Sequence, residues 1–341
     1  MEPPRCSPVP DPAHRARKSA MRALQVFENT LPPVEFLRQI EIETAAGNDL
    51  LAATLAESRT ARDLKACTQL QPFSAQPVSV AATLYAGVGP TATRRLLVAF
   101  CGKHGRLMMP MPLLLQVIDA RTWDVLALRD PTTLQFRSGC RGLAATFPEL
   151  ARWLATKAQD YAAMSALGAS MGGYPAIRLA LAVPGIRGVS VGGRPVTDAP
   201  RLVARQPTLT AFDPICACLA PVARDLIFVC SSAQEVDLDA ASSAAALTKG
   251  TLCQISGSAD HNVLWSLYEA GHLPRFLKTV LDSGKTPAEI ARAVAPMLWL
   301  RLTLLGLRSA TLSLPRRVLG KLVRIARRVL MTSPGPGADH L

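Results

Sequence analysis

Between residues 168 and 173 the chain reads Gly-Ala-Ser-Met-Gly-Gly, with glycine two places before the serine and two places after it. A serine hydroxyl acts as a nucleophile when a base removes its proton during attack and when donors meet the charge that develops. Presented on a sharp strand-to-helix turn, such a serine sits in strained backbone geometry, and its neighbours at ±2 have to be small to avoid clashes. Gly168 and Gly172 meet that requirement around Ser170. A helix starting after the turn adds free N–H groups and the positive end of its dipole. A glycine-rich βα turn without chemistry has the same composition, so the flanking elements decide between the two.

An apolar run at 161–169 reads as a strand and 173–182 as a helix, so the serine stands between the two. The same alternation runs along much of the chain. Strands are expected at 78–85, 95–101, 123–129, 185–191, 225–230 and 251–256, and helices at 112–119, 147–159, 240–247 and 263–281. Alternation at this spacing builds βαβ units, hence an α/β fold with a mostly parallel central sheet covered by helices on both faces. Ahead of it, 36–70 reads as mixed, with short strands and a helix near 49–57. The stretch 194–223 holds five prolines and the close pair Cys216 and Cys218, and reads either as a small lid over a pocket or as a surface excursion. Residues 1–20, rich in Pro, Arg and Ala, read as a disordered basic tail, 21–283 as the main domain, and 284–341 as a basic helical extension.

Gly168-x-Ser170-x-Gly172-Gly173, late in a βα series, resembles the nucleophile elbow of the α/β-hydrolase superfamily, and the resemblance extends over roughly residues 75–282. It implies an acid after a later strand and a histidine after the last one, in the order serine, acid, histidine. Of the five histidines, His14 and His340 sit in the tails, His104 precedes the turn, and His272 falls in a helical segment. His261 alone stands on the loop 257–262 after the last strand and is the expected base. Glu235, Asp237 and Asp239 all follow the strand at 225–230. Asp237 has the preferred spacing for orienting the imidazole. Glu235 and Asp239 stay open, since any of the three also suits a helix N-terminus. Asp260 reads as a loop residue, and Asp130 as the cap of the turn before Pro131. The expected oxyanion donors are the N–H of Met171 and that of Gly102 or Lys103, in the loop Cys101-Gly102-Lys103-His104-Gly105. This loop departs from the His-Gly-Gly-Gly pattern of lipases, which leaves the second donor open. His104 is either a substrate contact or a solvated side chain.

The formal net charge of +13 is concentrated at the ends. Residues 1–22 carry five Lys/Arg against two acids and 291–341 nine against one, leaving +2 for 23–290. A nucleic-acid-binding function therefore loses its main support. Between 316 and 330, apolar residues (Val318, Leu319, Leu322, Val323, Ile325, Ala326, Val329, Leu330) and basic ones (Arg316, Arg317, Lys321, Arg324, Arg327, Arg328) segregate at helical period. An anionic membrane surface is a candidate partner for this helix, and packing on the main domain is the alternative. The eight cysteines are scattered and read as reduced thiols, without zinc-ligand spacing. With no apolar leader and no uncharged apolar run of about 18 residues, a cytoplasmic protein is the default. The expected function is a serine esterase or thioesterase acting on a small acyl ester through Ser170, Asp237 and His261, with no metal or organic cofactor. Acyl transfer on the same residues and a non-catalytic, membrane-associated hydrolase-fold protein are the alternatives.

Overall fold

The computed structural model describes residues 11–193, 225–255 and 260–281, together with Thr286, Glu289, Ile290 and Ala293. The expected lid at 194–223 and the basic helix at 316–330 lie outside the described residues. Among the described residues, eight strands form one sheet: β1 (Ser74–Ser79), β2 (Ala82–Ala86), β3 (Arg95–Phe100), β4 (Trp123–Leu128), β5 (Ala163–Ala169), β6 (Arg187–Val191), β7 (Leu226–Ser231) and β8 (Thr251–Ile255). Their order is β1-β2-β4-β3-β5-β6-β7-β8. β2 pairs antiparallel with β1 and β4, and the remaining neighbours are parallel.

Apolar strand residues alternate between two cores. Leu97 and Ala99 of β3, Val125 and Ala127 of β4, Leu167 and Ala169 of β5 and Ile227 and Val229 of β7 face one layer. Leu96, Val98 and Phe100, with Leu126, Leu128, Ala166, Leu226 and Phe228, face the other. Burial on both faces is why these strands read as unbroken apolar runs. The second layer consists of α6 (Phe147–Ala158), α7 (Gly173–Ala182) and α8 (Glu235–Thr248). The first contains α5 (Met111–Gln116), α9 (Val263–Glu269) and α10 (Leu273–Leu281), joined by four helices from the N-terminal region.

Those four helices correct the reading of the first 70 residues. α1 (Pro12–Thr30) covers 12–20, where a disordered tail was expected, and continues with α2 (Pro33–Ala45), α3 (Asp49–Ala56) and α4 (Arg59–Lys65). Asp11 caps α1 by accepting from the Ala13 N–H at 3.1 Å, and Pro12 takes the first helical position, where a missing N–H costs nothing. Ala20 and Leu24 of α1, Phe36 of α2 and Leu55 of α3 are buried. No strand forms in 36–70. Ile40-Glu41-Ile42-Glu43 alternates like a strand, yet Ile40 packs on the core while Ile42 is 50% exposed, as a helical period dictates.

Three further boundaries move. The strand expected at 78–85 is the hairpin β1–β2, closed where Ser79 pairs with Ala82 around Val80 and Ala81. Neither turn residue takes a positive φ, so the Asn-Gly or Asp-Gly signal of a primed turn is missing from the sequence. The helix expected at 263–281 breaks at Gly271, whose φ of +73 lies in the left-handed region. There the His272 N–H reaches back to the Leu267 carbonyl at 2.8 Å, closing a helix C-cap. α8 starts at Glu235, five residues ahead of the expected 240.

Candidate active site

β3 lies between β4 and β5, so the chain leaves it toward one edge of the sheet and continues toward the other. In an open α/β sheet the crevice at such a switch point, beyond the carboxyl ends of the strands, is where ligands sit. The loop after β3 and the turn after β5 both open there.

Ser170 follows β5 directly and begins a 3-10 turn, Ser170–Gly172, that leads into α7. Its φ is 53°, in the left-handed region that a residue with a Cβ occupies at a cost of about 1–3 kcal/mol. The turn is tight enough to specify its glycines. A Cβ on Gly168 would lie 1.8 Å from the Gly172 carbonyl oxygen, and one on Gly172 would lie 1.9 Å from the Phe100 carbonyl oxygen. Small residues at ±2 are therefore a steric necessity here.

The Ser170 Oγ lies 2.8 Å from His261 Nε2, and His261 Nδ1 lies 2.6 Å from Asp237 Oδ2. Asp237 is fully buried in the first turn of α8, while the His261 side chain is 30% exposed. With the carboxylate accepting from Nδ1–H, Nε2 is left to accept the serine proton. Glu235 and Asp239 stand on the same helix but are exposed. Asp237 is thus the acid that the structure brings to His261. Asp260 accepts from the Asn262 N–H at 2.9 Å, and Asp130 accepts from the N–H groups of Thr132 and Phe136, each at 2.9 Å. Both carboxylates cap loops, as expected. His14 is exposed on α1, and His272 sits in the turn between α9 and α10.

The loop after β3 corrects one expected oxyanion donor. The Gly102 N–H donates to the Arg106 carbonyl at 2.9 Å, so it is occupied within the loop. The Gly105 N–H donates to the Gly102 carbonyl at 2.9 Å, closing a turn in which Lys103 and His104 are the central, exposed residues. These bonds use the N–H groups of Gly102 and Gly105 and leave that of Lys103 outside them. A Cβ on Gly102 would lie 3.5 Å from the Ser170 Cβ, so the loop touches the elbow. Cys101, at the start of the loop, is buried. Burial pushes its thiol up to about 11, against the pull of Arg129, so it stays protonated at neutral pH.

A cavity of about 630 Å³ opens over Ser170 and His261. Met108, Met109, Pro110 and Trp265 give it apolar walls, and Lys103, His104 and Arg106 add polar ones. Glu28 of α1 and Arg59 and Thr60 of α4 also line it. Sequence reasoning placed the pocket cover at 194–223 and missed this contribution from the N-terminal helices. It also missed Gly192 (φ +57), where a Cβ would lie 3.3 Å from His261 Cε1. The imidazole rests against bare backbone there, and Gly192-Gly193 directly after β6 is the signal that would have pointed to it. Among the described residues no cluster of three or more His, Cys, Asp or Glu side chains has metal-binding geometry, and no helix is long and apolar enough to cross a membrane.

Comparison of the sequence with protein-family models and with curated proteins finds no match. Solved structures resemble this one at low identity. A 2,6-dihydroxy-pseudo-oxynicotine hydrolase is 15% identical, with 80% of this chain and 97% of that one covered and a TM-score of 0.44. For an esterase of Pyrococcus furiosus the values are 14%, 62%, 92% and 0.42, and for a dienelactone hydrolase of Anabaena variabilis 17%, 65%, 94% and 0.36. Resemblance at this level says nothing of substrate. The strand order, the switch point at β3 and the helix layers on both faces make this chain a protein of the α/β-hydrolase fold.

Proposed function

We propose that the chain is a serine hydrolase that cleaves an ester or thioester through an acyl-enzyme intermediate. The observation that carries this reading is the unbroken hydrogen-bonded series from buried Asp237 through His261 to Ser170 Oγ, ending in a 630 Å³ cavity. Ser170 Oγ attacks the substrate carbonyl as its proton passes to His261 Nε2. Asp237 holds the imidazole in the right tautomer and stabilises the imidazolium. The carbonyl oxygen becomes an oxyanion, met by the N–H of Met171, in the 3-10 turn that leads into α7, and by that of Lys103. Collapse of the tetrahedral intermediate expels the alcohol or thiol, which takes the proton from His261. Water then repeats the sequence on the acyl-enzyme and returns Ser170 to its starting state.

A fluorophosphonate probe tests the reading. The folded wild-type protein should be labelled covalently on Ser170, Ser170→Ala should take no label, and its turnover of short acyl esters should fall by about 10⁶-fold. A folded wild-type protein that takes no label would sink the proposal.

A further inference from the structure

The turn Gly102–Gly105 has little of its own to orient it against Ser170, since Lys103 and His104 are exposed. It is held from outside by the end of α1. Asn29 Nδ2 donates to the His104 carbonyl at 2.8 Å. Arg129, just past β4, donates from Nη2 to the Asn29 carbonyl at 2.6 Å and from Nε to the Gly105 carbonyl at 3.3 Å. Arg129 is fixed in turn by Thr83 Oγ1 at 3.0 Å and by the Tyr85 hydroxyl at 3.1 Å, and that hydroxyl donates to the Thr30 carbonyl at 2.9 Å. Glu28, the residue before Asn29, lies 3.5 Å from Arg106.

Planarity of the peptide group carries these contacts to the reaction centre. The Gly102 carbonyl and the Lys103 N–H belong to one trans amide and point in opposite directions. The Gly102 carbonyl accepts from the Gly105 N–H. Fixing the peptide at Gly105 therefore fixes the direction of the Lys103 N–H. We propose that Asn29 and Arg129 are positioning residues that aim the Lys103 N–H at the substrate oxyanion, which makes α1 part of the catalytic apparatus as well as a pocket wall. The proposal rests on the serine-hydrolase reading above. Neither side chain belongs to the Ser-His-Asp series, and both act through the loop.

The test compares wild type with Asn29→Asp, which keeps the shape but replaces the donor with an acceptor, and with Asn29→Ala. Val26→Ala, on the exposed face of α1, is the control. 4-Nitrophenyl butyrate gives kcat and KM, and butylboronic acid, whose tetrahedral adduct fills the oxyanion hole, gives an inhibition constant. In Asn29→Asp, kcat should fall about tenfold with KM within about twofold, and the boronic acid should bind more weakly in parallel. Asn29→Ala should behave alike and serves if the first variant does not fold. Unchanged kcat in folded variants, a rise in KM alone, or the same loss in Val26→Ala overturns the proposal. A wild type that neither hydrolyses the ester nor takes a fluorophosphonate label overturns the serine-hydrolase reading itself, whereas an active wild type with equally active Asn29 variants overturns only the positioning role.

Discussion

At each end of the parallel strands a buried carboxylate is paired with a nitrogen-bearing side chain, and the two pairs differ in the chemistry open to them. At the amino ends, Asp124 of β4 pairs with Arg94 at 2.7 Å, with both side chains at most 5% exposed. Asp124 also accepts from the Gly87 N–H at 2.7 Å and the Tyr161 hydroxyl at 2.9 Å. Burial first, and Asp124 second, push the Tyr161 phenol well above its ordinary value, so it remains a donor. A guanidinium neither releases nor accepts a proton under ordinary conditions, and every partner here is protein. At the carboxyl ends, the carboxylate of Asp237 is just as buried. Its partner is an imidazole that can take and return a proton, and the series ends on a hydroxyl in a cavity. A buried acid–base pair becomes chemical machinery when the base exchanges protons and the series opens onto space for a substrate. Otherwise it is a rivet.

Two substitutions break this comparison from opposite sides. Asp237→Asn preserves size but gives the imidazole the wrong partner, and kcat should fall by about 10⁴-fold with the fold retained, as measured by ester hydrolysis alongside circular dichroism. Asp239→Asn and Glu235→Gln, on the exposed face of α8, should stay within about twofold of wild type. Arg94→Met leaves Asp124 buried without its cation and should cost about 3–5 kcal/mol of stability in urea titrations, while kcat per folded molecule holds. If Arg94→Met lowered kcat in folded protein as well, the two ends would be coupled and the contrast between them would fail.

Sequence alone made some of the site legible for steric reasons. Ser170 stood out because contacts of 1.8 and 1.9 Å force glycine at 168 and 172, so the constraint is printed in the residue types. His261 stood out because few histidines compete with it. Asp237 was harder to separate from its neighbours because the helix was expected to start at 240. With α8 starting at Glu235, residues 235 and 239 are one turn apart on one face and 237 lies on the opposite face, so helical period alone selects it. The Gly102 donor could not be judged in advance, since its N–H is consumed by a backbone carbonyl whose position depends on the path of the loop. The N-terminal helices were obscured by β-branched residues in α2 that alternate locally with charges, a pattern that tertiary packing overrode.

Buried phenols extend the comparison to pH. Tyr85, fully buried in β2, ties α1 to the loop beside the site through the Thr30 carbonyl and Arg129. Burial raises its phenol from 10.0 to about 12, with Arg129 pulling the other way. The folded state thus binds this proton more tightly than the unfolded state does. Below pH 10 both states are protonated and the native interaction is fully present. As pH rises further, the unfolded chain ionises first, and stability drains away until the folded phenol ionises near 12. The loss assignable to Tyr85 should be of the order of 2–3 kcal/mol across that window. Urea midpoints followed by tryptophan fluorescence at about pH 9 and about pH 11.5 would read it, with Tyr85→Phe as the reference. The phenylalanine variant loses the hydroxyl bonds at every pH, about 1 kcal/mol, so the signature is its shallower slope between the two pH values. An equal slope in the two proteins would place the alkaline sensitivity elsewhere. Tyr161, at the closed end of the sheet beside Asp124, is then the phenol to substitute next.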